Sequence, residues 1–344
     1  MEAGAAALFL AIVFTPALIR TLRRRDIGQQ IREDGPASHV VKAGTPTTGG
    51  VLIVLAAIFG YLVGHLGGYR TFTRSGLLVL LLVVACGAIG FADDLIGVRN
   101  ARNLGLNKRT KFAAQVLVAV GFALAAWKWA GATTTISFTR YDLPGWHVGP
   151  AVWVVFAAFV VVATSNAVNL TDGLDGLAAG SSTFCFSVLA VIGYWQFRHY
   201  PIYRVGPSQA TALDLGLVAV GLVGGCLGFL WWNAAPARII MGDTGSLSIG
   251  AGLAGLCLLM NLDLLLVVIG GLFVAETVSV IAQVISFRVF HRRVLRMAPM
   301  HHHFELLGWP ETTVLIRFWI LAGLCAALGI GFFYGDFVKI AKVI

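Results

Sequence analysis

The chain has 344 residues, 58% of them hydrophobic and only 12% charged, where a soluble domain carries about 25% charged residues. That composition excludes an ordinary soluble domain and predicts an all-α integral membrane protein, read as one polytopic domain over 1–344. The net charge of +9 does not call for nucleic acid, because basic cytoplasmic loops of a membrane protein meet anionic lipid.

In chain order, apolar runs predict about ten transmembrane helices, near 3–22, 48–67, 75–92, 112–130, 150–166, 176–197, 212–232, 244–260, 262–287 and 313–334. The first run has no basic segment before it and no small-residue cleavage site after it, so it reads as a retained span. Only the polar residues of the stretch 261–263 mark the join of the eighth and ninth runs. No internal repeat is evident, which speaks against an inverted-repeat transporter. Cys86, Cys185, Cys226, Cys257 and Cys325 all fall in apolar runs without CxxC spacing. They read as small buried apolar residues.

Basic residues set the orientation. Arg23, Arg24, Arg25, Lys42, Arg99, Lys108, Arg109, Lys111, Arg288, Arg292, Arg293 and Arg296 fall in one set of alternate loops, and the other set is poorer in them. The basic side is cytoplasmic. An even number of spans then leaves both termini periplasmic or extracellular. The same map puts Asp93, Asp94, Asp172, Asp175, Asp243, Glu305 and Glu311 on the cytoplasmic side, in loops near 21–47, 93–111, 167–175, 233–243 and 288–312.

The first of these loops ends in a Gly- and Thr-rich stretch, Lys42 to Gly50. Backbone N–H groups there can cradle phosphate, although the stretch lacks the ending of a P-loop. Asp93 and Asp94 close the third span. Adjacent carboxylates at a membrane boundary need a cation or a shared proton, so they read as a metal ligand or general base, with a solvated loop start as the alternative. Asn166, Asn169, Asp172 and Asp175 recur every third residue. Helix capping accounts for one or two of them but not four.

Asn233 and the stretch 241–246 make a third cluster. There Asp243 lies among glycines and hydroxyls and suits an oxygen ligand for Mg²⁺, unless it simply caps the next helix. His301, His302 and His303 follow an arginine-rich segment. Three consecutive histidines cannot face one metal from a helix, and beside arginines they suit phosphate binding and proton handling. Glu276 lies inside the ninth span and must face protein or water. Its role reads equally as structural or cavity-lining. Asp, Asn, Lys or Arg and His at one membrane face point to phosphoryl chemistry between a soluble phosphate ester and a membrane lipid.

Read together, GTPTTGG (44–50), GFADD (90–94), GLNKRTKF (105–112), NAVNLTDGLDGLAAG (166–180), GFLWWNAAPARIIMGDTGSLSIG (228–250) and APMHHHFELLGW (298–309) resemble the polyprenyl-phosphate sugar-1-phosphate transferases. The HHHFE run resembles the phospho-N-acetylmuramoyl-pentapeptide-transferase branch. The resemblance implies a multi-pass homodimer in the bacterial plasma membrane with its active site facing the cytoplasm. It implies transfer of phospho-MurNAc-pentapeptide from UDP-MurNAc-pentapeptide to undecaprenyl phosphate, with Mg²⁺, yielding lipid I and UMP in peptidoglycan synthesis. By motif position it implies Asp243, with Asp93, as metal ligands. Asp93 and Asp94 become the base or lipid-phosphate activating pair, and His301 a catalytic group. Asn166, Asn169, Asp172, Asp175 and Asn233 become nucleotide-side residues, and Lys42, Lys111, His302 and His303 phosphate and sugar contacts.

Three positions depart from the family's usual pattern: Thr48 where Met is common, Gly97 where Lys is common and Ile240 where Phe is common. These leave the acids intact and bear on nucleotide or inhibitor affinity. The rival readings are a sibling transferase using UDP-GlcNAc or another UDP-sugar, and an ion-coupled transporter.

Overall fold

A computed structural model describes residues 1–25, 27–28, 44–67, 71–99 and 105–342. Its helices are α1 (Glu2–Arg24), α2 (Gly50–Leu66), α3 (Arg74–Arg99), α4 (Lys108–Lys128), α5 (Pro150–Thr171), α6 (Leu177–Arg198), α7 (Tyr200–Tyr203), α8 (Gln209–Asn233), α9 (Gly242–Leu259), α10 (Leu265–Ile269), α11 (Gly271–Phe290), α12 (Met300–Leu306) and α13 (Glu311–Ala341). Among the described residues, nine helices are long and apolar enough to cross a membrane, and α2 adds an apolar helix of 17 residues, at the short end of that range. The chain is therefore an all-α multi-pass membrane protein. The only sheet among the described residues is the two-stranded hairpin of β1 (Thr135–Ile136) and β2 (Trp146–His147).

Three boundaries differ from the hydropathy reading, each for a physical reason. Helix α3 does not stop at residue 92 but runs to Arg99, so Asp93 and Asp94 are helical. The run 262–287 divides into α10 and α11 at Gly270, which leaves helical geometry at φ −88°, ψ 22° and caps both helices. Helix α13 extends to Ala341, two turns past the apolar run.

Helix α9 is the axis of the bundle, with every side chain from Thr244 to Leu259 buried. Lipid offers no hydrophobic drive between helices, so close backbone contact through small residues supplies the packing. Gly90 of α3 abuts the Asp243 backbone, Gly50 of α2 abuts Gly245, and Gly250 abuts Ser165 of α5. Around this axis α8 packs against α1, α2 and α6.

The alternating helices bring the C-terminal ends of α3, α5 and α8 to the same end of the bundle as the N-terminal ends of α4, α6 and α9. Both chain termini lie at the other end, where Glu2 approaches Gly67 and Asp336 binds Arg140 and Thr139 of the hairpin loop.

Candidate active site

The first four residues of α9 have backbone N–H groups without partners inside the helix. No side chain of its own N-cap, Met241, fills that need. Asp94 does so from α3. Its Oδ1 accepts from Asp243 N–H at 2.9 Å, and its Oδ2 accepts from Thr244 N–H at 3.2 Å and the Thr244 hydroxyl at 2.7 Å. The helix start turns sharply through Gly242, at φ +71°, where a Cβ would run into the Asp94 carboxylate. Asp94 thus fixes where Asp243 begins its helix, and Asp243 is not itself the cap.

Asp93, one residue earlier, faces differently. Its Oδ1 accepts from Leu106 N–H at 2.9 Å, which seats the start of α4, and its Oδ2 lies 3.6 Å from Lys111 Nζ. Lys111 also makes a close ion pair with Asp243 Oδ2. The other Asp243 oxygen accepts from Asn169 Nδ2 at 2.6 Å, and Asn169 also donates to Ser246 Oγ at 2.9 Å. One turn back on α5, Asn166 donates to Gln115 of α4 at 2.9 Å.

Oxygens of Asp93, Asp94 and Asp243 lie within 4.8 Å of one another. Three carboxylates at this spacing repel strongly, and one ammonium offsets only part of that charge. Hard oxygen donors with one cation among them suit a divalent ion such as Mg²⁺, which takes one or two carboxylates and keeps the rest of its shell for water and substrate phosphate. Asp93, Asp94 and Asp243 each offer such an ion an oxygen, and the Asp94 oxygens are also engaged by α9.

Residues of the remaining motifs lie at the same end. Asp172 is the C-cap residue of α5. Asp175 Oδ2 accepts from Ala237 N–H at 2.9 Å, and its own N–H donates to Glu311 at 3.1 Å. Asn233 accepts from Gly176 N–H at 3.0 Å and donates to Ile239 O at 2.9 Å. Asp175 and Asn233 thus tie the α5–α6, α8–α9 and α13 segments together. The three histidines share no centre: His301 faces Glu276 at 3.1 Å, His302 faces Glu305 at 2.7 Å, and His303 accepts from Arg296 N–H at 3.0 Å.

In the Gly- and Thr-rich stretch, the N–H groups of Gly49 and Gly50 donate to Ile240 O and Met241 O. They are spent on joining α2 to the α9 entry rather than left to cradle phosphate. Thr48 sits at φ +71° in that join, and Ile240 is half-buried beside it. Lys42 lies outside the described residues.

Several residues here escaped the sequence reading. Gln115 stands at no telling spacing, and the sequence marks Glu311 only as an acid on the cytoplasmic side. Thr244 and Ser246 stand out in the sequence only as hydroxyls near Asp243. Glu276 carried a signal, an acid within an apolar span, that named no partner.

A many-helix membrane bundle with an amide-braced acidic cluster at one end defines an integral membrane enzyme built for phosphoryl chemistry. Residues 76–261 match the model of glycosyl transferase family 4. The chain is 49% identical to a phospho-N-acetylmuramoyl-pentapeptide-transferase of Frankia alni, over 98% of this chain and 97% of that protein. It is 48% identical to the transferases of that name from Saccharopolyspora erythraea, over 98% and 97%, and Mycobacterium leprae, over 96% of each. The chain belongs to glycosyl transferase family 4 and, within it, to the phospho-N-acetylmuramoyl-pentapeptide-transferases.

Proposed function

We propose that the protein transfers phospho-MurNAc-pentapeptide from UDP-MurNAc-pentapeptide to undecaprenyl phosphate, releasing UMP and forming lipid I. The observation that carries this reading is the meeting of Asp93, Asp94 and Asp243 at one end of the bundle, braced by Lys111 and Asn169. That end faces the cytoplasm of a bacterial plasma membrane, where the soluble nucleotide and the lipid phosphate can both reach it. Both termini are then periplasmic or extracellular, and the protein works as a homodimer.

Mg²⁺ held by Asp243 and Asp93 would neutralise phosphate charge as it develops. Asp93, held by Leu106 N–H on one oxygen, keeps the polyprenyl phosphate deprotonated with the other. A lipid phosphate oxygen attacks the β-phosphorus of the donor, the new P–O bond forms, and the bond to UMP breaks. Lys111 supplies a positive charge between the attacked phosphate and the two acids. Asn169 holds Asp243 in register. The residues of the Asp172–Asp175 loop and Asn233 serve the nucleotide, and Lys42, His302 and His303 serve its phosphates and sugar. Both Asp94 oxygens are engaged, so a covalent two-step route would fall to Asp93.

Competition between labelled UDP-MurNAc-pentapeptide and UDP-GlcNAc on purified protein tests the donor. Transfer of the muramoyl donor alone is expected, and preferential use of UDP-GlcNAc overturns the assignment. Ping-pong kinetics or a trapped phospho-Asp93 would defeat direct displacement.

A further inference from the structure

Glu276 lies on α11, whose outer positions Val278, Ile281, Val284 and Ile285 are exposed, yet Glu276 itself is completely enclosed. A carboxylate at such a position is costly unless its oxygens find partners. Both partners come from α12. Glu276 Oε2 accepts from Met300 N–H at 2.8 Å, and Oε1 faces His301 Nδ1 at 3.1 Å. Ser279, one turn along α11, reinforces the dock: its hydroxyl donates to Glu276 O at 2.6 Å and accepts from Met300 N–H at 3.0 Å.

This arrangement decides which nitrogen of His301 carries a proton. A carboxylate only accepts, so Nδ1 must donate to it, and the hydrogen bond at one ring nitrogen sets the state of the other. Nε2 is then the variable nitrogen. It is buried, finds no hydrogen-bond partner among the described residues, and lies against Gly173, where even a methyl group would collide with the ring. Gly173 stands in the loop that carries Asp172 and Asp175.

We propose that Glu276 is a positioning residue for the transfer reaction, holding His301 with Nδ1 protonated and Nε2 turned to the Asp172–Asp175 loop. The proposal rests on the functional reading above. Glu276 touches no substrate. It acts through His301, which supports the loop on the donor side of the site, and the acceptor phosphate side at Asp93 and Asp243 does not depend on it.

Glu276→Gln tests the idea with little change of shape. The amide can still accept from Met300 N–H, but its NH₂ now faces His301 and makes Nδ1 the acceptor. The proton moves to Nε2, against the loop. The expected result is a KM for the UDP-sugar raised about tenfold or more, the scale on which loss of one hydrogen bond to a charged group acts, with the KM for undecaprenyl phosphate unchanged. Glu276→Asp recovers part of the loss. In a cycle with His301→Asn the double variant is no worse than His301→Asn alone.

Equal rises in both KM values, or additive losses, would assign Glu276 to general folding and overturn the proposal. Nitrogen NMR of ¹⁵N-histidine-labelled protein reads the ring independently of activity. A proton on Nδ1 in wild type and on Nε2 in Glu276→Gln supports the proposal, and the same tautomer in both refutes it. Wild-type protein that releases no UMP would instead defeat the functional reading while leaving the NMR result to decide the ring's geometry.

Discussion

Two adjacent acids of α3 do different work because a step of about 100° round the helix points them at different partners. Asp94 spends both oxygens on the first N–H groups of α9, whereas Asp93 keeps one oxygen toward Lys111. Asp94→Ala therefore removes a cap from a neighbouring helix, at a cost of about 1 kcal/mol, visible as a lower melting temperature together with weakened activity. Asp243→Asn removes a charge at the reacting centre. It is expected to lower kcat about 10²-fold or more with the fold intact. Near-normal turnover in that variant would take Asp243 out of the reaction.

Residue types in this cluster were legible in the sequence, because paired acids, a Gly-flanked acid and an Asn–Asp series are rare in apolar chains. Their pairing was not. Nothing in the spacing says that Asp94 reaches across to Thr244, or that three adjacent histidines take three separate partners, since those contacts join segments far apart in the chain.

At the scale of helices, length and apolarity make the spans legible, and polar ends are less so. The turn after residue 92 is polar, yet α3 continues, because Asp93 and Asp94 find hydrogen-bond donors at Leu106 and the α9 start. Helix α12, at 7 residues, is too short to announce itself by periodicity, and its place is set by Glu276.

The contact between α3 and α9 decides whether the acids meet at all. Gly90 leaves no room for a side chain against the Asp243 backbone. Gly90→Val forces the two helices apart. It is expected to destabilise the protein by about 1–3 kcal/mol, the usual cost of overpacking, and to reduce activity further than the stability loss accounts for. Thermal unfolding in detergent beside turnover on the same preparation checks both, and normal values for each would mean the close approach is dispensable.

Taken whole, the molecule sorts its chemistry to one end and its hairpin and termini to the other. The proposed orientation has the acidic end in the cytoplasm. Asp142, half-exposed in the hairpin loop, and Arg292, exposed beyond α11, mark opposite faces. With the native cysteines buried or only partly exposed, Asp142→Cys should react with an impermeant maleimide on intact spheroplasts, and Arg292→Cys only after permeabilisation. The reverse pattern would turn the protein over in the membrane.

Purified wild-type protein given undecaprenyl phosphate and UDP-MurNAc-pentapeptide offers the most direct measurement: UMP release as free Mg²⁺ is titrated from zero. Release should be absent in chelator, saturate with the ion, and be lost in Asp243→Asn at every Mg²⁺ concentration. UMP release that persists in chelator, or is unaltered in that variant, would contradict a site in which Asp93 and Asp243 share one divalent cation.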